Sequence, residues 1–198
     1  MNLNKLIPQK INFNKSISNH QDLLNTNISD SNVLVIGGAG TIGSSYVKQI
    51  LKFKPAKLTI VDINENGLTE LTRDLRSSNL LDYNPYYITY ALNLLSDTFD
   101  KIFNSETWQV VANFSAHKHV RSEKDKISVE ALIKNNVFGA IKLLNLCKLN
   151  PPKYFFSVST DKAANPVNIM GASKSLMEKL ILSKKNEFRV STARFANV

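Results

Sequence analysis

The sequence predicts an α/β fold in which a parallel sheet is doubly wound, with helices on both faces. Three observations predict it. From residue 32 onward, short apolar runs alternate with segments of helical period, the pattern of strand–helix–strand crossovers. A glycine cluster, GGAGTIG at 37–43, separates the first apolar run from the first helical segment. And 198 residues, 43% of them hydrophobic, are enough to bury one sizeable core.

Residues 1–31 stand apart. They are rich in Asn, Ser, Lys and Gln with scattered apolar residues, and read as an N-terminal extension of one or two short helices. The domain proper is expected over 32–198. VLVI (33–36) is a buried strand ended by glycines. Residues 41–53 carry Ile42, Tyr46, Val47, Ile50 and Leu51 at helical spacing, and KLTIVD (57–62) is the second strand. An amphipathic helix over 65–77 rests on Leu68, Leu71 and Leu75. A third strand is expected at 86–92, a short helix near 96–104 and a fourth strand at 108–114. One long helix is expected over 126–149, a fifth strand at 154–159, a helix over 168–184 and a sixth strand at 188–195. Such alternation implies right-handed crossovers.

Gly37, Gly40 and Gly43 directly follow a strand and directly precede a helix. The chain there must turn sharply, admit a ligand to its backbone and pack the helix close to the sheet. Glycine serves all three demands because it has no Cβ. The N–H groups of the helix start, around Gly40, Thr41, Ile42 and Gly43, can then face a phosphate. Asp62 lies 19 residues after Gly43, at the end of the second strand. A carboxylate there accepts bonds from the adenosine ribose hydroxyls and repels a 2′-phosphate, so the pattern points to NAD rather than NADP. Ser44 follows Gly43 where a Walker-type loop has lysine, which excludes that loop. The structural alternatives are a plain glycine turn and an Asp62 that merely caps the next helix.

Composition narrows the function classes. The formal net charge is +9, with the lysines dispersed apart from Lys184–Lys185. No basic stripe with interleaved aromatics is present, so nucleic acid is not an expected partner. The charge suits a solvated surface and attraction of a polyanionic small molecule. No apolar stretch reaches the ~18 residues of a membrane span, and the N-terminus lacks the apolar block of a signal peptide. The one cysteine, Cys147, sits in an apolar helical setting and fits a reducing cytoplasm.

A second constellation begins at the end of the fifth strand, where an open parallel sheet places its reacting groups. Thr160, Asp161 and Lys162 are consecutive there. Asp161 and Lys162 offer an acid and a base. Their attraction keeps both charged, whereas a desolvated site shifts either towards neutrality. Lys174 lies four residues after Met170, on the same helical face. Taken singly, each has an ordinary reading: a cap for Asp161, surface charge for the lysines, core filler for Met170.

These stretches resemble the extended short-chain dehydrogenase/reductase superfamily, and within it the polysaccharide-biosynthesis group of nucleotide-sugar 4,6-dehydratases and epimerases. The resemblance covers about residues 32–198. It is carried by IGGAGTIG (36–43), NFSAHKHV (113–120), NNVFGA (135–140), STDKAANPVNIMGASK (159–174) and RFANV (194–198). It implies a Rossmann-like NAD-binding domain whose C-terminal substrate lobe is absent, so that the chain is part of a longer enzyme. It implies that Asn113, Ser115 and Ala116 line the cofactor and that Lys174 bonds the nicotinamide ribose. Thr160 would hold the C4 hydroxyl of a UDP-sugar. Asp161 and Lys162 would act as acid and base in removing water across C5 and C6. Lys118 and His119 would lie at the substrate's edge, and Asn197 near the nicotinamide or sugar. Family members often assemble as homo-oligomers through the long helices, here 126–149 and 168–184.

The chain departs from the family at several points. Met170 stands where the superfamily usually has Tyr; a thioether has no proton to exchange, and the group that deprotonates the C4 hydroxyl is left unassigned. Asn93 stands where related sequences often have Asp for the adenine amino group, and its carbonyl accepts the same bond. His117 and His119 form an H-x-H, but the third histidine, His20, is in the extension, so no metal site is assigned. The expected function is NAD-dependent nucleotide-sugar modification, UDP-N-acetylglucosamine 4,6-dehydration in the first place. A 4-epimerase is the near rival; it needs only hydride removal and return at C4, so the Asp161–Lys162 pair favours the dehydratase. A cofactor-binding module without catalysis is the reading from another class.

Overall fold

The computed structural model describes residues 13–117 and 123–196. Two short helices, α1 (Phe13–Asn19) and α2 (Gln21–Ile28), come first. Then follow β1 (Asn32–Ile36), α3 (Thr41–Ile50), β2 (Lys57–Asp62), α4 (Glu65–Ser77), β3 (Tyr86–Ala91), α5 (Asp97–Asn104) and β4 (Val110–Asn113). The second half comprises α6 (Lys126–Ile133), a π-helical segment (Lys134–Phe138), α7 (Gly139–Leu149), β5 (Tyr154–Thr160), α8 (Ile169–Leu182) and β6 (Arg189–Phe195). The strands form one sheet in the order β3-β2-β1-β4-β5-β6, and every neighbouring pair is parallel. The predicted doubly wound α/β sheet is thus observed. Its order reverses between β1 and β4, and a crevice opens there beyond the carboxyl ends of the strands.

β1 shows why the central strands are uninterrupted apolar runs. Val33 and Val35 enter one core with Val47, Ile50, Ile60 and Leu71. Leu34 and Ile36, pointing the other way, enter a second core with Phe99, Trp108, Leu143 and Phe155. Helices on both faces leave no side of the strand for polar residues. Cys147 is buried in the second core, as its helical setting predicted.

Side-chain caps set the helix starts. Asn64 Oδ1 accepts from Gly67 N at 3.0 Å, Ser96 Oγ from Phe99 N at 3.3 Å, Asp125 Oδ1 from Ser128 N at 2.8 Å and Asn168 Oδ1 from Gly171 N at 2.7 Å. α2 buries no residue of its own, yet Tyr154 Oη donates to Asn27 Oδ1 at 2.8 Å and ties it to the foot of β5.

Two expectations need correction. The helix over 126–149 is not a single α-helix: the π-helical turn at Lys134–Phe138 interrupts it and faces Asn136 and Val137 inward. The fourth strand is shorter than 108–114, because Trp108 turns into the core and its indole N–H donates to Phe103 O at 2.9 Å rather than joining the sheet surface.

Candidate active site

The crevice is a cleft of about 590 Å³, within the ~300–1,000 Å³ range of small-molecule sites. Its first wall is the glycine turn. Gly37 has φ +75°, and a Cβ there would lie 2.5 Å from Ser115 N; a Cβ on Gly43 would lie 2.2 Å from Gly37 O. These two glycines are therefore required by close approach of backbone to backbone. A Cβ on Gly40 would meet only Gly37 O, at 3.6 Å, so the space in front of it is open. Gly40 is also the N-cap of α3 and supplies no capping side chain. The first-turn N–H groups of α3, where Gly40, Thr41, Ile42 and Gly43 line the cleft, are therefore left for an anion. The cradle fits a dinucleotide's pyrophosphate.

Asp62 closes that wall. Its Oδ2 accepts from Ala39 N at 2.9 Å, and its Oδ1 from Asn64 N at 3.0 Å. The carboxylate thus locks the end of β2 onto the glycine turn, while each oxygen keeps a lone pair for a ribose hydroxyl. The cap of α4 is Asn64, which removes the alternative in which Asp62 serves only as that cap. Asn93 lines the same end of the cleft, and its Oδ1 already accepts from Leu95 N at 2.8 Å.

The floor follows β4. Ser115, Ala116 and His117 line it, whereas Asn113 lies behind them, 3% exposed. Asn113 Oδ1 accepts from Ser115 N at 3.1 Å and from Ser115 Oγ at 2.6 Å, and its Nδ2 donates to Ser157 Oγ at 3.3 Å. Its contribution is to hold the floor rather than to touch a ligand. Asn136, within the NNVFGA stretch, supports the same floor. Its Oδ1 accepts from His117 N at 2.9 Å, and its Nδ2 donates to His117 O at 3.1 Å and to Ser173 Oγ at 3.0 Å. The widened π turn places this amide against a backbone 19 residues away.

The second wall is the end of β5 and the start of α8. Thr160, Lys162, Met170 and Lys174 line the cleft together. Asp161 turns back instead: its Oδ1 accepts from Thr160 Oγ1 at 2.9 Å and from Lys162 N at 2.9 Å, and lies 3.3 Å from Lys162 Nζ. The Thr160 hydroxyl and then the Lys162 side chain hold the Asp161 carboxyl below the usual carboxylate range, which favours the carboxylate in this arrangement. Thr160, not Asp161, caps the 3₁₀ turn at Asp161–Ala163. Met170 is 2% exposed, and its N–H donates to Glu123 Oε1 at 2.6 Å. Sequence reasoning missed Glu123, since nothing local links it to a residue 47 positions on. Lys174 is no surface lysine. It is 3% exposed, its Nζ donates to Val158 O at 2.8 Å, and burial pushes its pKa down to about 8. Lys118, His119 and Asn197 lie outside the described residues. His20 is exposed, with Nδ1 2.9 Å from Ser16 O. Among the described residues no group of three His, Cys, Asp or Glu side chains could hold a metal ion.

Residues 33–198 match the family described as polysaccharide biosynthesis protein. A relative from Methanocaldococcus jannaschii, described as an uncharacterized membrane protein, is 35% identical over 90% of this chain and 52% of its own length. In the present chain no helix among the described residues is long and apolar enough to cross a membrane. A UDP-N-acetylglucosamine 4,6-dehydratase (inverting) from Campylobacter jejuni is 31% identical over 84% of this chain and 49% of its own. The chain thus spans about half the length of these relatives. Among solved structures, a Bordetella bronchiseptica enzyme in complex with NAD+ superposes with a TM-score of 0.68 at 18% identity, over 86% of this chain and 51% of the other, a likeness of fold. On these grounds the chain belongs to the polysaccharide biosynthesis protein family, the group of extended short-chain dehydrogenase/reductase relatives whose motifs its sequence carries.

Proposed function

We propose that this chain is the NAD-binding half of a nucleotide-sugar-modifying enzyme whose reaction is UDP-N-acetylglucosamine 4,6-dehydration. One observation carries the reading: Thr160 and Lys162, at the end of β5, line the same cleft as the glycine turn, Asp62 and the buried Lys174. The name of the Campylobacter relative supports the reaction, and the NAD+ of the Bordetella structure supports the cofactor. Bound NAD would supply a hydride acceptor at C4 and a donor at C6, and so end each turnover unchanged.

The chain's own residues do the rest. The α3 N–H groups bind the pyrophosphate and Asp62 the adenosine ribose. Lys174 donates to the nicotinamide ribose, and Thr160 orients the sugar at its C4 hydroxyl. A sugar in the cleft would meet Lys162 and draw the Asp161 carboxyl round from its bond to Thr160 to face it; exclusion of water there favours the neutral form of each. Passing one proton from Lys162 to Asp161 gives an amine base for the C5 proton and a carboxylic acid for the departing C6 hydroxyl. Met170 gives an apolar surface and no proton. Incubating the full-length enzyme with UDP-N-acetylglucosamine and NAD should yield a 4-keto-6-deoxy sugar nucleotide. Formation of the C4 epimer alone would make the enzyme a 4-epimerase. NAD binding with no turnover of any nucleotide sugar would leave a cofactor-binding module.

A further inference from the structure

A charged pair, Glu178 of α8 and Arg194 of β6, lies behind Lys174 and has no part in this reaction. Glu178 sits one turn beyond Lys174 on α8 and is 5% exposed. Its carboxylate is gripped by Arg194 of β6: Nε donates to Oε1 at 2.9 Å and Nη2 to Oε2 at 2.7 Å. Lys174, in turn, has Val158 O at 2.8 Å and Met177 Sδ at 3.3 Å as partners, neither of them charged. An ammonium so deeply placed needs a nearby anion to stay charged. Arg194 pairs across the sheet with Ser159 and immediately precedes Phe195 and Ala196, all three of which line the cleft.

We propose that Glu178 and Arg194 are positioning residues for Lys174: the carboxylate holds the lysine in its charged form, and the arginine holds the carboxylate. The wall strand β6 and the wall helix α8 are thereby fixed to one another through the same group that sets the charge inside the cleft. The purpose of this arrangement rests on the cofactor reading above, but the arrangement itself can be tested without cofactor.

Of the other charged groups on elements packed against α8, Lys126 of α6 and Lys148 of α7 are exposed, and the rest are engaged elsewhere. Lys142 of α7 pairs with Asp100, Glu130 of α6 with Lys134, Lys162 with Asp161, and Glu123 accepts the Met170 N–H. Arg189 of β6 donates to Tyr154 Oη. Burial lowers Lys174, and Glu178 is the neighbour that opposes the shift. The Glu178 carboxyl is itself held below the usual range, first by its bonds to Arg194.

The test is a pH titration of the Lys174 side chain by NMR on isotopically labelled chain, with Lys174→Arg to assign the signal. Glu178→Gln should move the Lys174 midpoint down by about 1 pH unit, a tenfold loss of proton affinity. Loosening of the fold would act the other way, since water reaching the amine raises it towards 10.5. A midpoint that is unchanged or raised in Glu178→Gln overturns the proposal. Should that variant not fold, the pair can be replaced by Glu178→Met with Arg194→Met, an apolar swap that buried ion pairs often tolerate. It should restore thermal stability and leave the midpoint below wild type; a midpoint at or above wild type overturns the proposal as well. Wild-type chain that binds no NAD would defeat the cofactor reading and leave this titration standing.

Discussion

The two walls of the cleft are built from different material. On the β1–β2 side the ligand-facing groups are backbone: helix N–H groups behind Gly40, set by glycines packed against neighbouring main chain, with Asp62 bonded to two further N–H groups. On the β5–α8 side they are side chains, of which Lys162 is part-exposed and Lys174 almost wholly buried. A backbone-built wall suits what all dinucleotides share, and where its glycines meet main chain, at Gly37 and Gly43, it cannot be altered without disturbing the fold. A side-chain wall can change its chemistry while the fold stays intact. Substitutions on the first wall should therefore damage binding, with loss of stability where a glycine meets main chain, and those on the second wall should damage turnover with the fold intact.

The largest effect is expected on the backbone wall. Gly43→Ala drives a Cβ to 2.2 Å from Gly37 O and 2.9 Å from Gly38 Cα. It should cost about 1–3 kcal/mol of stability and abolish NAD binding, as read by thermal melts and calorimetry. Gly40→Ala sharpens the contrast, because its Cβ meets protein only at an ordinary 3.6 Å. Stability should hold within about 0.5 kcal/mol while NAD binding falls at least tenfold. A destabilised Gly40→Ala would contradict the open space assigned there.

On the opposite wall, Lys174 gives a pH signature. Its folded value of about 8 lies below the ordinary lysine value of 10.5. Below pH 8 the folded chain must keep a proton on a buried amine, and the penalty is full. Between 8 and 10.5 the unfolded chain binds more protons, so stability rises with pH, and above 10.5 the penalty is gone. Lys174→Met should therefore gain on wild type by about 2–3 kcal/mol more at pH 7 than at pH 10.5, in denaturant melts at the two pH values. A pH-independent difference would mean that the amine is not buried in solution.

Lys162→Ala is expected to leave the melt almost unmoved, since an exposed pair contributes about 0–1 kcal/mol. Turnover should fall by about 100-fold or more with NAD affinity preserved. Unchanged turnover would remove Lys162 as the base. The smallest effect is expected from Met170→Leu, a volume-conserving change costing less than about 1.5 kcal/mol with turnover kept within a few-fold. A large loss of turnover at equal stability would show that the thioether is more than an apolar surface.

The same contrast governs what could be read from the sequence. The first wall was legible because its signals are local: an apolar run, glycines at fixed spacing, and an acid at the next strand's end. The alternation of elements and nearly every helix start followed from periodicity, whereas the strand order and the caps Asn64, Ser96 and Asn168 came from the structure. The second wall was legible only as a cluster of candidates. That Asp161 turns away from the cleft depends on bonds among three side and main chains, which spacing does not encode. Asn136, Glu123 and the Glu178–Arg194 pair act across separations of 16 to 47 residues and leave no local mark. The π turn inside the helix over 126–149 was hidden for the same reason, because its consequence lies in the β4 floor it supports.

The central claim, that the two walls enclose an NAD site, is tested most directly by titrating NAD and NADP separately into the purified chain by calorimetry. Saturable one-site binding of NAD is expected, with NADP at least tenfold weaker because its 2′-phosphate meets the Asp62 carboxylate, and a smaller preference in Asp62→Ala. No binding of either dinucleotide, or equal affinity for both, would contradict it.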